Sequence, residues 1–241
     1  MKYETSLQVI RELKKYADSK RASFVAGYFK TGKGEYGEGD VFWGLSVPQV
    51  RMVAKNSYTL PMVEVLKLLH SPVHEQRQCA LMMWVLQFAK ADEARRKEIY
   101  TQYLRNTRFI NNWDLIDLTA REIVGRYLLD KPNQRNVLYA LAKSSSVWER
   151  RIAIISAWAF VKYRQETRDM VAIATLFLKD THDLIHKATG WMLREMGKTD
   201  EKELYTFLDN YAAIMPRTML RYSLEKVPEY RKKAYMAARG K

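Results

Sequence analysis

The sequence predicts an all-α protein built as a solenoid of paired helices, and three observations lead to that fold class. Only 10 Gly and 6 Pro interrupt the 241 residues. Between them, apolar residues recur at three- and four-residue spacing, which is the period of a helix. Short segments also repeat at intervals of 34 to 37 residues, which is the period of paired-helix solenoids.

Capping signals mark where the helices are expected to start. Residues Ser46–Gln49 read S-x-x-Q with Pro in the first turn, and Ser146–Glu149 read S-x-x-E, which are both capping-box patterns. The further predicted starts lie near Pro61, Val73, Asn112, Asn133, Thr181, Asp200 and Pro216. The segments between them predict helices of about 10 to 18 residues, which are ordinary globular lengths.

The internal repeat places a cation in each unit. The segment Ser71–Arg77 aligns with Ser145–Arg151 at an offset of 74, an offset that Trp84 and Trp158 also show. Continuing the alignment gives one register of four cations: Arg77, Arg151, Lys187 and Arg221. Stacked helix pairs form a superhelix with a concave inner surface. These cations therefore predict a basic ladder for DNA phosphates on that surface, with ordinary solvated charges as the alternative.

Composition limits the class of protein and its partners. With 47% hydrophobic residues, the chain can bury a core and is not wholly disordered. The net charge of +14 predicts a polyanionic partner, nucleic acid before an acidic membrane surface. The single thiol, Cys79, excludes an internal disulfide and is expected in the core.

We expect a cytoplasmic protein of one domain, residues 1–241, of which 228–241 form a frayed basic tail. The N-terminus lacks the apolar segment of a signal peptide. Every uncharged apolar stretch falls short of the roughly 18 residues that a membrane span requires.

Two tryptophans stand in informative patterns, and the first suits the binding of a cation. Trp113 and Asp117 are four residues apart, so they project from one helix face as an aromatic ring beside a carboxylate. A core tryptophan with a structural acid is the alternative. Gly190 precedes Trp191 inside a predicted helix, where glycine costs about 1 kcal/mol relative to alanine. This position therefore predicts a close approach of another element.

Several short motifs together resemble one family, the AlkD-type DNA alkylation repair glycosylases built from HEAT-like repeats. The motifs cover residues 24–30, 37–48, Trp113–Asp117, Trp148–Arg151, Lys187–Glu195 and Leu220–Tyr222. The resemblance implies excision of N3- and N7-alkylated purines from duplex DNA without base flipping.

The same resemblance assigns roles to individual residues. It implies that Asp117 is the catalytic carboxylate and that Trp113 and Trp191 flank the lesion's deoxyribose. It places Arg151 on the DNA backbone near the lesion and Tyr28 in the same cleft. No metal or other cofactor is expected, and a monomer associated with the nucleoid when bound to DNA is the default state. A non-catalytic helical-repeat scaffold that binds nucleic acid is the alternative function.

Three weaker motifs carry little functional weight. Residues 32–37 match G-x-G-x-x-G, but no predicted strand precedes them, so we expect a loop that is either a connector or a DNA-contacting lid. The pairs His70/His74 and His182/His186 have zinc-helix spacing but lack the accompanying glutamate. Pro72 is expected to break the first pair.

Overall fold

The computed structural model describes residues 3–238 and, over that range, contains helices and no strand. The predicted all-α class is therefore confirmed. The α-helices are α1 (Ser6–Lys14), α2 (Ser19–Tyr28), α3 (Val47–Ser57), α4 (Met62–Leu69), α5 (His74–Lys90), α6 (Glu93–Arg105), α7 (Trp113–Ala120), α8 (Arg126–Leu128), α9 (Asn136–Ala142), α10 (Val147–Arg164), α11 (Arg168–Leu176), α12 (Asp183–Gly197), α13 (Glu201–Tyr211), α14 (Arg217–Ser223) and α15 (Glu229–Ala237). No helix in the described range is long and apolar enough to cross a membrane.

The chain divides into two compact units, and the first is Met1–Thr119. Its longest helix, α5, packs against α3 and α4, which in turn contact α1. The middle of α5 supplies fully buried side chains, including Cys79, Trp84 and Phe88. The predicted core position of the thiol is confirmed, and burial raises the pKa of Cys79.

The second unit, Ala120–Lys241, is organised around α10 and α12. Helix α10 packs against α9 and α12, and α12 packs against α14. A β-carbon at Gly190 would collide with the Met219 carbonyl and lie 2.6 Å from Cβ of Tyr222. The close approach predicted at Gly190 is therefore confirmed, and the partner is α14.

Five helices begin at regular intervals along the chain. The first residues of α5, α7, α10, α12 and α14 follow one another at intervals of 39, 34, 36 and 34. The fifth residue of each helix then defines one register, whose members are Gln78, Asp117, Arg151, Lys187 and Arg221. Asp117 thus shares a helical position with three of the four cations in the predicted ladder.

Of the two predicted capping boxes, one is formed. The Ser46 amide donates to Oε1 of Gln49 at 2.8 Å in the capping box that opens α3. Ser146 does precede the first residue of α10, but its side chain makes no capping hydrogen bond. Its amide donates instead to Oγ of Ser144 at 3.1 Å, so the S-x-x-E box itself is not formed.

A π-helical turn at Arg121–Gly125 joins α7 to α8. Gly125 lies so close to α10 that a β-carbon would collide with the Ser156 carbonyl. Ser156 Oγ also donates to the Ala120 carbonyl at 3.3 Å. The pattern of apolar residues does not reveal this turn, because one extra residue barely changes the helical period over so short a segment.

The basic C-terminal segment is helical and attached to its neighbours. In α15, the Tyr235 hydroxyl donates to Asp209 at 2.6 Å, and the Arg231 guanidinium lies 4.1 Å from the centre of the Tyr205 ring. Arg217 donates to the Met236 carbonyl at 2.7 Å. The part of the predicted tail at 239–241 lies outside the described residues.

Candidate active site

Helix α7 carries the aromatic ring and the carboxylate on one face. Its first residue is Trp113, whose amide donates to Oδ1 of Asn112 at 2.9 Å. Asp117 follows four residues later and is half-buried. The predicted sharing of one helix face by Trp113 and Asp117 is confirmed.

Aromatic side chains hold the Trp113 indole from two directions. The Phe29 ring stacks on it with centroids 5.1 Å apart and planes 18° apart, and the Tyr28 ring meets it edge-on at 6.0 Å. Tyr28 remains 62% exposed. The structure therefore brings Tyr28 and Trp113 together and leaves the tyrosine accessible to a ligand.

Asp117 lies in electrostatic contact with the buried phenol of Tyr103. Burial raises the pKa of that phenol, and the negative charge of Asp117 raises it further. The Tyr103 hydroxyl shares a 2.9 Å hydrogen bond with Thr119. A carboxylate in this half-buried setting acts on a nearby positive charge more strongly than a fully hydrated carboxylate would.

The glycine-rich segment between α2 and α3 is a folded loop. Gly32 donates to Glu35 at 2.9 Å and Gly34 donates to Glu38 at 2.8 Å, so the loop carboxylates bond to the loop's own backbone. The buried Glu75 carboxylate accepts hydrogen bonds from the amides of residues 43–45 at 2.8 to 3.1 Å. The expected loop is therefore confirmed, and its backbone is held by carboxylates of the loop itself and of α5.

In the second unit, Trp191 lies in an aromatic and cationic cluster. Its ring meets Trp158 edge-on at 5.8 Å, and its Nε1 donates to Glu195 at 3.2 Å. The Arg121 guanidinium covers the Trp158 ring at 4.1 Å from the centroid and is ion-paired with Glu122. Trp191 therefore has a defined orientation that does not depend on a ligand.

The three cations of the fifth-residue register differ in exposure. Arg151 is only 5% exposed, and its Nη1 donates to the Leu184 carbonyl at 2.6 Å. Lys187 is half-buried and pairs with Asp183 at 2.7 Å, whereas Arg221 is exposed. The assignment of Arg151 to the DNA backbone therefore depends on the family resemblance rather than on exposure.

The predicted alignment of Arg77 with Arg151 is wrong by one residue. Arg77 Nη1 donates to the carbonyls six and five residues before it, both at 3.1 Å. Arg150 makes the same two contacts, at 3.0 and 2.9 Å, so Arg150 is its structural equivalent. Arg77 is also 3% exposed and paired with Asp40 at 2.7 Å. We therefore remove Arg77 from the candidate DNA-contacting residues.

The two histidine pairs have local structural roles. Helix α4 ends at Leu69 and α5 begins at His74, so the predicted break between His70 and His74 is confirmed. His182 accepts from the Leu184 amide as the N-cap of α12, and His186 Nε2 lies 2.5 Å from the Asp180 carbonyl. Within residues 3–238, no group of three or more potential ligands is arranged to hold a metal ion.

One cluster near the site has no simple sequence signature. His74 lies between Asp40 and Asp114, which are 34 and 40 residues away in the chain. Periodicity identifies residues on the same element and gives no information about pairs separated by this distance. The only local hint is the charged segment His74–Arg77 at the start of an otherwise apolar helix.

Comparisons with known proteins find a matching family model and a solved structure of similar fold. The family model for the DNA alkylation repair enzyme matches residues 9–227. A solved structure described as "Predicted DNA alkylation repair enzyme from Enterococcus faecalis" is similar, with a TM-score of 0.68 and 15% sequence identity. The match covers 88% of this chain and 97% of that one, and at this identity it shows a shared fold. A comparison with curated proteins finds no match.

Proposed function

The chain belongs to the DNA alkylation repair enzyme family, and from that premise we propose that it is a DNA glycosylase of the AlkD type. Its substrates would be cationic N3- and N7-alkylated purines in duplex DNA. The observation that carries this proposal is the pairing of Trp113 with Asp117 on one face of α7. The exposed Tyr28 ring beside Trp113 adds a further contact surface.

The chemistry of an alkylated purine explains why one carboxylate is enough. Alkylation at N3 or N7 gives the base a positive charge before any bond is broken. When the C1′–N9 bond breaks, its electron pair moves to the base, which leaves as a neutral molecule without protonation. The sugar becomes oxocarbenium-like, and the oxygen of a water molecule then bonds to C1′ and releases one proton to Asp117 or to solvent.

Each side chain has a distinct role in this mechanism. Asp117 stabilises the developing positive charge on the sugar and orients the attacking water. The π-faces of Trp113 and Trp191 each favour a nearby cation by about 0.5 to 2 kcal/mol. Asp114, the other acid on α7, accepts hydrogen bonds from His74 and Gln78 through Oδ2.

We further propose that the helices form a HEAT-like array whose fifth-residue register contacts duplex DNA. The intervals of 34 to 39 residues between successive helix starts support this array. Arg151, Lys187 and Arg221 would bind phosphates, which carry most of the affinity in protein–DNA complexes. By its resemblance to the family, the protein would act without flipping the base. A monomer is the default state of such an array.

A substrate panel tests the proposed reaction. Duplexes carrying N7-methylguanine or N3-methyladenine should release the free base, because both lesions are cationic. A matched duplex with uracil should release none, because a neutral leaving group needs an acid that this mechanism does not supply. Release of uracil at a comparable rate would contradict the proposed leaving-group chemistry. Salt-sensitive DNA binding without release of any alkylated base would favour the non-catalytic scaffold.

The role of Arg151 requires a separate variant. Arg151→Gln should weaken binding to lesion-containing duplex and reduce turnover, since the guanidinium would contact the DNA backbone. Arg95, which is half-buried and pairs with Glu98 in α6, provides the matched control Arg95→Gln. Unchanged binding by folded Arg151→Gln would contradict the assignment.

A further inference from the structure

A buried row of charged groups lies beside the start of α7. His74 is 2% exposed. Its Nε2 is 2.8 Å from Oδ2 of Asp114, and its Nδ1 is 3.3 Å from Oδ2 of Asp40. A protonated imidazole can donate from both nitrogens, so a single ring can bond to both carboxylates at once. We call these three residues the Asp40–His74–Asp114 row.

The row joins three separate segments of the first unit. Asp40 follows the glycine-rich loop, His74 is the first residue of α5, and Asp114 is the second residue of α7. Asp40 also accepts from Arg77 at 2.7 Å and from Asn111, just before α7, at 3.1 Å. The start of α7 is therefore attached to the loop and to α5 through buried polar contacts.

An aromatic stack continues from this row to Trp113. The His74 ring stacks on Phe42 with centroids 4.6 Å apart, and Phe29 contacts His74 at 5.2 Å. Phe29 also stacks on Trp113, with centroids 5.1 Å apart. A movement of His74 would therefore reach Trp113 by two routes. One passes through the Phe29 ring, and the other through Asp114, which directly follows Trp113 in the sequence.

The charges that face His74 keep it protonated. Burial alone would lower the pKa of His74, but the charge of Asp114 and hydrogen bonds to both acids outweigh burial and raise the pKa to about 9. The positive charge of Arg77 acts in the opposite direction, and the partner Asp40 has a lowered pKa despite its burial. Near neutral pH the row therefore holds a protonated imidazole between the side chains of Asp40 and Asp114.

We propose that the Asp40–His74–Asp114 row is a positioning site, which holds the Trp113 indole and the first turn of α7 in the orientation that excision requires. The inference rests on the proposed function, since it assigns Trp113 to the lesion. His74 and Asp114 do not touch the substrate in this account. They act through the placement of Trp113 and, four residues along the same helix, of Asp117.

The test combines kinetics with a direct observation of Trp113. The variants are Asp114→Asn, which keeps the size of the side chain and an acceptor for His74, and His74→Gln. A suitable control is His70→Gln, because His70 has an amide partner, Asn106, and an aromatic neighbour, Phe109, but lies outside the row. Protein labelled with 5-fluorotryptophan gives a fluorine resonance for Trp113, which Trp113→Phe identifies by its loss.

We expect both row variants to lower the single-turnover rate of N7-methylguanine release on the order of 10- to 100-fold, the range for a reacting group displaced by about 1 Å. Affinity for the undamaged duplex should change less than twofold, and the Trp113 resonance should shift or broaden. His70→Gln should match the wild type in all three measurements.

Either an unmoved Trp113 resonance or an unchanged excision rate in the folded row variants would overturn the proposal. Circular dichroism shows whether each variant is folded. If His74→Gln does not fold, Asp114→Asn alone is used for the test. The two proposals can fail separately. If wild-type protein released no base, the proposed function would fail, while the fluorine resonance would still report whether the row positions Trp113.

Discussion

At the scale of single residues, the two acids of α7 have different surroundings, and we assign them different roles. Asp114 has a structural role and Asp117 a chemical one. Asp114 accepts hydrogen bonds from His74 and Gln78, and these contacts fix it in place. Asp117 lies one turn further on, half-buried beside Tyr103. Both acids are evident in the sequence, but only the structure shows that His74, 40 residues away, engages the first.

The pH dependence of stability should reveal the charge on His74. Because its pKa is about 9 in the folded protein and about 6.5 when unfolded, the folded state holds the proton more tightly. This stabilisation is complete below pH 6.5 and is lost as the pH rises through 9. Across that window, the unfolding free energy of wild type should fall by up to about 3 kcal/mol relative to His74→Gln. Urea denaturation at several pH values measures the free energy of unfolding of both proteins. If that free energy changed with pH in the same way for wild type and His74→Gln, the raised pKa of His74 would be contradicted.

At the scale of the helices, sequence signals locate many of the starts but not all of them. Pro61, Val73, Asp200 and Pro216 each stand immediately before a helix, as predicted. The start of α1 is not among the predicted ones, although Thr5 and Gln8 form a capping box. The misplacement of Arg77 has a different cause. Similar residues align equally well one position apart, and only the contacts of Arg150 show which alignment is correct.

Two glycine-to-alanine substitutions should have different effects on stability, because only Gly190 lies at a close contact between helices. Gly190→Ala should destabilise the protein by about 1 to 3 kcal/mol, because its methyl group would collide with Met219 and Tyr222. In α2, a β-carbon added to Gly27 would meet nothing within 4 Å. Gly27→Ala should therefore be neutral or stabilising by up to about 1 kcal/mol. Thermal unfolding measures the Tm of both variants and of the wild type. Equal shifts in Tm for the two variants would contradict the close packing at Gly190.

At the scale of the whole molecule, the net charge of +14 predicts the nature of the partner better than any single cation does. Many of the cations are paired with acids or carbonyls, as Arg77 and Arg150 are. Composition alone does not distinguish these internal pairs from charges that face a ligand. The exposed Arg221 is therefore a better candidate for a phosphate contact than the buried Arg77.

Binding to duplex DNA should weaken steeply as salt increases. Replacing Arg221 with alanine should reduce the slope of log affinity against log salt by about 0.9, the value for one lost phosphate contact. Arg164→Ala provides a control, because Arg164 is exposed but pairs with Asp130 at 2.6 Å outside the register. Fluorescence anisotropy over a salt series measures both slopes. A wild-type affinity that is independent of salt would contradict electrostatic binding altogether.

The most direct test of the central claim compares wild type with Asp117→Asn in single-turnover release of N7-methylguanine from a duplex, with DNA affinity measured in parallel. Glu98→Gln, which removes an exposed acid of the same unit, serves as the control. We expect wild type and Glu98→Gln to release the base at similar rates. Asp117→Asn should bind the duplex with nearly unchanged affinity and release almost none. Equal release by Asp117→Asn and wild type would contradict the assignment of Asp117 as the catalytic carboxylate.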